Sequence, residues 1–355
     1  MTETRAAAVE VAHLVKRYRG ARRNAVDGIS FDVPEGQLFC LLGPNGAGKT
    51  TTVSILTTTL APTTGRVRIA GRDLASQQAQ VRAELGVVCQ QPSLDLNLTA
   101  EENIRLHAVL YGLYPWRPHY RLMPAGYRDE VQQIAGVLDI SGSLGRRART
   151  LSGGQRRRLE IVRALMHRPR VLFLDEPTAG LDPASRRDLW AYLRQERARS
   201  RITVVLTTHY LEEAEAADSV CVLAGGKIIE RGSPAEVKER QLSPELILDA
   251  TDRAGLRREL ESLGVQVGAG PPAGPLRVPL NDCSAQDIIA SVRAKLTRFQ
   301  IAEPTLEDAY LLLLERAGAR ERAGARERAG ARDRAGAREP AGAREPAGAR
   351  ERARS

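Results

Sequence analysis

The chain has 355 residues, a length that fits two folded units, with 42% hydrophobic residues and a formal net charge of +10. No apolar run approaches the ~20 residues that cross a bilayer, and the first residues lack the apolar stretch of a signal peptide. Composition therefore argues against an integral membrane protein and favours a cytosolic chain.

The first 90 residues favour strands followed by a glycine-rich loop and a helix. Residues 37–42 form a short apolar run that leads directly into Gly-Pro-Asn-Gly-Ala-Gly-Lys-Thr at 43–50, and residues 50–60 have a helical pattern. Four other stretches have strand patterns, at 9–18, 26–33, 66–70 and 86–89. This strand–loop–helix order is the context that a phosphate-binding loop requires.

The middle of the chain changes to helical spacing and then returns to buried strands. Residues 98–167 carry apolar residues at helical intervals, interrupted by a loop near 114–120. The apolar runs 171–174 and 202–206 predict strands of a parallel sheet that is buried on both faces. A helix at 184–197 between them completes a βαβ unit, and residues 220–230 predict a closing hairpin.

Residues 242–315 predict a small second unit, and residues 316–355 a disordered tail. In the second unit we expect strands at 245–249 and 276–279, and helices at 255–263, 285–296 and 306–314. The tail repeats Arg-Ala-Gly-Ala-Arg-Glu with a period of six, and its 12 arginines and six acidic residues carry +6 of the net charge. It lacks large apolar residues that could offset the entropy of ordering.

The glycine-rich loop predicts a site for a nucleoside triphosphate. Glycines let consecutive backbone N–H groups face the phosphates, and the following helix N-terminus favours anions. Lys49 is expected at the β- and γ-phosphates, and the Thr50 hydroxyl at Mg²⁺. The predicted phosphate-binding set is Gly43, Pro44, Asn45, Gly46, Ala47, Gly48, Lys49, Thr50 and Thr51.

Two carboxylates end the apolar strand 171–174, where ligands of parallel sheets bind. Asp175 has the position of a Mg²⁺-binding carboxylate. Glu176 is the next residue, so its side chain is expected to point away from that of Asp175. It suits a general base that polarises the attacking water.

Leu151-Ser-Gly-Gly-Gln, shortly before that strand, resembles the signature of ATP-binding cassette (ABC) ATPases. The resemblance covers residues 8–240 and implies an α/β fold: a RecA-like core, an antiparallel β subdomain and a helical subdomain at about 96–167. It also implies a head-to-tail homodimer with two ATP molecules at its interface. There Ser152, Gly153, Gly154 and Gln155 are expected to contact the γ-phosphate held by the other subunit.

The same resemblance assigns four further residues. It places Tyr18 against the adenine, Gln90 at Mg²⁺ and the attacking water, and Asp182 in the loop at the dimer interface. His209 resembles the switch histidine near the γ-phosphate. Because Gln91 directly follows Gln90, the sequence leaves open which of the two glutamines has this family position.

Residues 91–103, together with Pro-Thr-Leu-Glu-Asp-Ala-Tyr at 304–310, resemble ATPase subunits of ABC-2-type exporters of drugs and antibiotics. We therefore expect an ATPase beneath a separately encoded ABC-2-type permease, peripheral on the inner face of the membrane, with no specific nucleic acid partner. The region 114–127 is longer than the family pattern, and the repeat tail is no part of it. Two alternatives are a soluble ABC ATPase acting on ribosomes or nucleic acid, which only the basic tail favours, and an importer ATPase.

Overall fold

A computed structural model describes residues 6–90, 93–208, 210–268, 274–280 and 284–319. The chain forms two compact units, Met1–Leu313 and Leu314–Ser355. In the second unit the described residues, 314–319, are helical. All the elements that follow belong to the first unit.

The described residues of the first half of the unit form six strands and four helices, with a short 3₁₀ helix at Tyr120–Leu122. In chain order they are β1 (Ala7–Lys16), β2 (Val26–Pro34), β3 (Leu38–Leu42), α1 (Lys49–Leu56), β4 (Thr64–Ile69), β5 (Arg72–Asp73), α2 (Gln78–Ala83), β6 (Leu85–Val88), α3 (Ala100–Leu110) and α4 (Ala125–Val137).

The second half continues from the signature to the last strand. Its elements are α5 (Gly153–Leu165), β7 (Val171–Asp175), α6 (Pro183–Ser200), β8 (Thr203–Thr207), α7 (Leu211–Glu215), β9 (Ser219–Ala224), β10 (Lys227–Gly232), α8 (Pro234–Gln241), β11 (Glu245–Ala250), α9 (Arg253–Ser262), β12 (Leu276–Pro279), α10 (Ala285–Ser291) and β13 (Leu296–Ala302). Residues 306–313, the last of this unit, are also helical and form part of the last helix.

A six-stranded sheet in the order β10-β9-β3-β8-β7-β6 forms the centre of the unit. All its pairs are parallel except the hairpin β9–β10. Alternate residues of each central strand enter opposite hydrophobic clusters: Leu172 and Leu174 lie in one, Val171 and Phe173 in the other. Both faces of the sheet are therefore covered, which explains why its strands read as continuous apolar runs.

A second sheet, antiparallel and ordered β2-β1-β4-β5, shares its apolar cluster with one face of the central sheet. Helices α3, α4 and α5 contribute to the cluster on the other face. The α/β fold class predicted from the sequence is confirmed in these layers, and the predicted domain boundaries stay predictions.

The third sheet, β12-β11-β13, has its own apolar cluster with α9 and α10. The expected helix at 285–296 is wrong in its second half. Helix α10 ends at Ser291 and strand β13 begins at Leu296, paired antiparallel with β11. The last helix does not belong to this third cluster. It contributes Leu306, Ala309 and Leu313 to the cluster that contains α3, α4 and α5.

Candidate functional site

The loop between β3 and α1 and the first turn of α1 together contain the nine predicted phosphate-binding residues, 43–51, at the carboxyl end of the central sheet. Gly43 and Gly48 have positive φ angles of 154° and 104°. A Cβ on Gly43 would lie 2.4 Å from the carbonyl oxygen of Leu223, and one on Gly48 would lie 2.5 Å from that of Ala25. Both positions therefore require glycine, and the loop is held tightly against its neighbours.

Helix α1 begins with Gly48 as its N-cap, which has no side chain to accept a hydrogen bond. The first backbone bond of the helix runs from the N–H of Thr52 to the carbonyl oxygen of Gly48. The N–H groups of the preceding turn thus have no partner within the helix. Pro44, Asn45, Gly46 and Thr50 are exposed, so this end of the helix is open to an anion.

Lys49 is buried and donates hydrogen bonds from Nζ to the carbonyl oxygens of Gly43 at 2.6 Å and Pro44 at 3.2 Å. Burial lowers the pKa of Lys49, while the nearby carboxylates of Glu176 and Asp175 oppose that shift. The Lys49 ammonium is thus a cation at the phosphate loop that is bonded to carbonyl oxygens. It is suited to bind phosphate oxygens in place of these acceptors.

Asp175 is the last residue of strand β7, and Glu176 follows it directly, so both carboxylates lie at the strand end that the sequence predicted. The Asp175 carboxylate is buried and accepts a hydrogen bond from the Thr207 hydroxyl at the end of the neighbouring strand β8. Glu176 has a positive φ of 49°, and its N–H donates to the carbonyl oxygen of Thr207 at 3.0 Å. The backbone therefore leaves the extended strand conformation directly after Asp175.

Gln90 lies beside Glu176, and its Nε2 donates to Glu176 Oε2 at 3.3 Å. These residues are 86 positions apart in the chain. The structure therefore brings together the predicted general base and the predicted water-contacting amide.

Tyr18 is 46% exposed, and its hydroxyl lies 3.3 Å from Thr51 Oγ1 in the first turn of α1. The ammonium of Lys16 stands 5.6 Å from the centroid of the Tyr18 ring. An exposed aromatic ring next to the phosphate loop is positioned to stack on a base.

Ser152 caps helix α5 in a reciprocal arrangement with Gln155. The Gln155 N–H donates to Ser152 Oγ at 3.1 Å, and the Ser152 N–H donates to Gln155 Oε1 at 3.1 Å. Ser152 and Gly153 are exposed, and a Cβ on Gly153 would meet no atom within 4 Å. Among the described residues no hydrogen bond joins this motif to the phosphate loop, so its exposed side is open to another molecule.

Asp182 caps helix α6 by accepting hydrogen bonds from the N–H groups of Ala184 and Ser185, each at 3.0 Å. The side-chain hydrogen bond from Ser185 is the main cause of the lowered pKa of Asp182. Arg158 of helix α5 also donates to the Ser185 hydroxyl. The signature helix is thereby linked to the Asp182 loop.

His209 and Gln91 lie outside the described residues. The residue before His209 is part of a buried cluster in which Glu213 accepts hydrogen bonds from two hydroxyls. One comes from Thr208 at 2.6 Å and the other from Thr178, which follows the Asp175–Glu176 pair. Glu213 thus ties the segment that contains His209 to the segment that follows the carboxylates.

Sequence reasoning missed Arg157, which is buried in helix α5. Its guanidinium donates to the carbonyl oxygens of Cys89, Asp175 and Pro177, the last two at 2.5 and 3.2 Å. It also forms an ion pair with Glu160, whose side chain is fully buried, at 3.2 Å. The one local signal is the i, i+3 spacing of an arginine and a glutamate within the signature helix.

In the part of the chain that the structure describes, no helix is both long and apolar enough to cross a membrane.

Comparison with known proteins gives one consistent answer. The family model described as ABC transporter matches residues 26–179, from β2 to the turn after Glu176. The daunorubicin/doxorubicin resistance ATP-binding protein DrrA of Streptomyces peucetius is 36% identical over 315 residues, which cover 86% of this chain and 92% of DrrA. The Nod factor export ATP-binding protein I of Paraburkholderia xenovorans (strain LB400) is 38% identical over 259 residues, which cover 72% of this chain and 81% of that protein.

A solved structure, an ATP-binding subunit of an ABC transporter, superposes with a TM-score of 0.59 at 28% sequence identity. It covers 66% of this chain, and 92% of the solved chain is matched. The layers described above are therefore an arrangement shared with a solved ABC transporter subunit.

Proposed function

This chain belongs to the ATP-binding subunits of ABC transporters, in the group that serves ABC-2-type exporters, and we propose that it powers export of a drug, antibiotic or related hydrophobic compound. It is an ATPase, and a separately encoded membrane permease is its partner. The observation that carries the proposal is the length over which this chain is similar to DrrA. Its 315 aligned residues extend beyond the predicted cassette at 8–240.

We assign the nucleotide to the exposed end of helix α1. Residues 43–51 and the Lys49 ammonium hold its phosphates, and Tyr18 stacks on its adenine. Catalysis of phosphoryl transfer to water relies mainly on positioning and on stabilisation of charge.

Magnesium fits the residues present at this end of the sheet. Mg²⁺ prefers oxygen ligands and often keeps phosphate oxygens among them. The Thr50 hydroxyl, the Asp175 carboxylate and the Gln90 side-chain oxygen are the donors that would hold it, and when bound it would neutralise charge on the phosphates. Among the described residues no group of three or more His, Cys, Asp or Glu forms a metal site, so the phosphates would complete the ligand set.

Glu176 is the proposed general base, because it stands beside Gln90 at the end of β7 and is separate from the buried Asp175. His209 is assigned to the γ-phosphate on the strength of the family pattern. Ser152, Gly153, Gly154, Gln155 and Asp182 are assigned to the interface of a homodimer. The exposed side of the signature supports that assignment, since a second copy is needed to bring a nucleotide to it.

The chain is placed at the inner face of the cell membrane through an ABC-2-type permease, and no specific nucleic acid partner is assigned. The two relatives described above are named for drug resistance and for Nod factor export, and neither name points to a ribosomal, nucleic acid or importer role.

The test is to purify the tagged full chain from mildly solubilised native membranes and to identify what accompanies it. We expect a multi-helix membrane protein in about equal amount. Proteoliposomes of that complex should move a hydrophobic compound on addition of ATP, and the Glu176→Gln complex should not. Recovery of ribosomal proteins or nucleic acid without a permease would contradict the proposal.

A further inference from the structure

A cavity of about 480 Å³ lies at the edge of the central sheet opposite the phosphate loop, and we call it the amino-end cavity. Its lining comes mainly from α4, from the ends of α5 and α6, and from the residues that lead into β7 and β8. These parallel strands begin here and end at Asp175 and Thr207, so the cavity is separate from the nucleotide site. Pockets that hold small organic molecules have volumes of roughly 300–1,000 Å³, a range that includes this cavity.

Part of the lining of the amino-end cavity is apolar. It includes Ile134 and Val137 of α4, Leu165 of α5 and Ile202, which precedes β8. Three of these side chains are buried, whereas Val137 is 45% exposed. The cavity therefore offers apolar surface against which the body of a ligand can be buried.

Tyr192 of α6 adds a hydroxyl to this lining, and it forms no hydrogen bond with any residue that the structure describes. The residue is only 8% exposed, and a buried tyrosine hydroxyl usually has a partner. Burial is the main cause of the raised pKa of Tyr192, and the nearby carboxylate of Glu196 adds to the shift while Arg199 opposes it. The hydroxyl therefore stays protonated and can donate to a ligand in the cavity.

The carboxylates of the lining have cations close to them. Arg168 Nε donates to Glu130 Oε1 at 2.9 Å, and Arg170 forms an ion pair with Glu35. The third carboxylate, that of Glu196, also interacts electrostatically with Arg168. The negative charge that the cavity offers to a ligand is therefore small.

Two further arginines of the lining, Arg199 and Arg201, lie at the end of α6 and are exposed. Within the described part of the chain, neither side chain takes part in an ion pair or a hydrogen bond. Tyr192, Glu196 and Arg199 are spaced by four and three residues and so lie on one face of α6. The lining contains four arginines and three glutamates, so its excess charge is positive.

We propose that the amino-end cavity binds a small amphipathic organic anion with a single carboxylate. Its apolar body lies against Ile134 and Leu165. Its carboxylate accepts hydrogen bonds from the Tyr192 hydroxyl and from the guanidinium groups of Arg199 and Arg201, whose planar geometry matches a carboxylate. The site makes no use of the nucleotide, the permease or the transported compound, so it does not rest on the proposed function.

Charge complementarity selects an anion over a cation or a neutral molecule of the same shape. A cationic head group would meet two guanidinium groups that have no carboxylate of their own. A neutral head group would form weaker hydrogen bonds with them, because bonds between charged groups are roughly twice as strong as neutral ones.

The first experiment is isothermal titration calorimetry of the full chain with dodecanoate, below the concentration at which dodecanoate forms micelles. We expect saturable binding of one molecule per chain. Dodecylammonium, which has the same chain length and the opposite charge, should bind at least about tenfold more weakly. Since dodecanoate binds the folded state, it should also raise the midpoint of thermal unfolding.

Three variants locate the binding. Arg199→Gln/Arg201→Gln should raise the Kd for dodecanoate about tenfold or more, and Tyr192→Phe, which keeps the ring, should raise it about three- to tenfold. Val137→Trp should remove binding by filling the mouth of the cavity. The matched control Arg187→Gln/Arg194→Gln removes two exposed arginines of the same helix that do not line the cavity, and it should bind as the wild type does.

A photoreactive dodecanoate that carries a diazirine on its chain identifies the site directly. It should label peptides from α4, α5 and α6 in the wild type, and excess dodecanoate should prevent the labelling. Thermal unfolding without ligand and basal ATP hydrolysis should show that each variant is folded.

Four outcomes would overturn the proposal. One is the absence of saturable binding of dodecanoate to the wild type. Another is equal affinity for dodecanoate and dodecylammonium, which would show that only the apolar chain is recognised. A third is unchanged affinity in both Arg199→Gln/Arg201→Gln and Val137→Trp, and the fourth is labelling confined to other parts of the chain. Either of these last two results would place the bound molecule elsewhere on the surface.

Discussion

Arg157 Nη2 donates a hydrogen bond of 2.5 Å to the carbonyl oxygen of Asp175. The signature helix α5 thereby holds the backbone at the end of β7, where the two carboxylates of the site begin. Arg157 Nη1 also donates to the carbonyl oxygen of Cys89, the residue before Gln90. One buried guanidinium thus fixes two backbone positions on which the proposed chemistry depends, and it connects them to the motif assigned to the homodimer interface.

Replacement of Arg157 by methionine should destabilise the fold and reduce turnover. Glu160 would be left fully buried without its cation, which typically costs about 3–5 kcal/mol. Urea unfolding of the nucleotide-free protein measures the loss of stability, and phosphate release measures kcat.

The double variant Arg157→Met/Glu160→Gln separates stability from positioning. It removes both charges and keeps an acceptor for the N–H of Ser93, which bonds Glu160 Oε1 at 2.7 Å. It should regain much of the lost stability while kcat stays low. Recovery of kcat together with stability would show that Arg157 has no positioning role.

Lys49→Ala should weaken nucleotide binding. A hydrogen bond to a charged group contributes about 1.5–3 kcal/mol, which corresponds to a rise in Kd of about ten- to a hundredfold. Titration with a fluorescent ATP analogue measures the effect. The exposed Lys295 supplies a matched control, since Lys295→Ala should bind nucleotide as the wild type does. Unchanged affinity in Lys49→Ala would contradict its assignment to the phosphates.

The sequence was sufficient for the centre of the fold, because its strands have no polar face. β3 and β7 are buried at every residue, and the two faces of each strand enter different clusters, so each stands out as an uninterrupted apolar run. The β13 strand was missed for the opposite reason. Arg298 and Gln300 flank Phe299, so the strand contains no uninterrupted apolar run, and in the structure Phe299 is 64% exposed.

The residues of the candidate site likewise divide into those that the sequence suggests and those that only the structure identifies. The residues proposed to contact the nucleotide lie in short motifs with fixed spacing, so the sequence alone suggests them. Arg157 and Glu213 act through residues that are distant in the chain: Cys89 precedes Arg157 by 68 positions, and Thr178 precedes Glu213 by 35. No local pattern specifies which carbonyl or hydroxyl a buried charge will meet, and only the folded structure identifies those partners.

Glu176→Gln should abolish most turnover and leave ATP binding intact. Removal of a general base typically lowers the rate by about 10²–10⁴-fold, while the phosphate loop and Lys49 are unchanged. Phosphate release and nucleotide titration report the two quantities separately. Glu239→Gln, at an exposed position in α8, is the matched control and should leave both unchanged. Full activity in Glu176→Gln would remove Glu176 from the role of base.

Two neutral histidines join helix α3 to the start of β6. His167 Nε2 lies 2.7 Å from the carbonyl oxygen of Leu85 and must donate to it, so its Nδ1 accepts from His107 Nε2 at 3.2 Å. Burial lowers the pKa of His107 to about 3 and also lowers the pKa of His167. Both rings therefore stay uncharged in the folded protein at pH values where an unfolded chain binds protons.

Acidification from about pH 6.5 should therefore destabilise the protein, since the unfolded state binds protons that the folded state excludes until its own lower pKa values are reached. Each histidine contributes up to about 1.4 kcal/mol per pH unit to the slope of the unfolding free energy. His107→Asn should reduce that slope, and His107→Asn/His167→Gln, which keeps a donor for Leu85, should reduce it further. Urea unfolding between about pH 5 and pH 6.5 measures the slope above the range in which ordinary carboxylates titrate. A slope that is the same in the wild type and in both variants would show that the buried histidines do not govern the acid sensitivity of the fold.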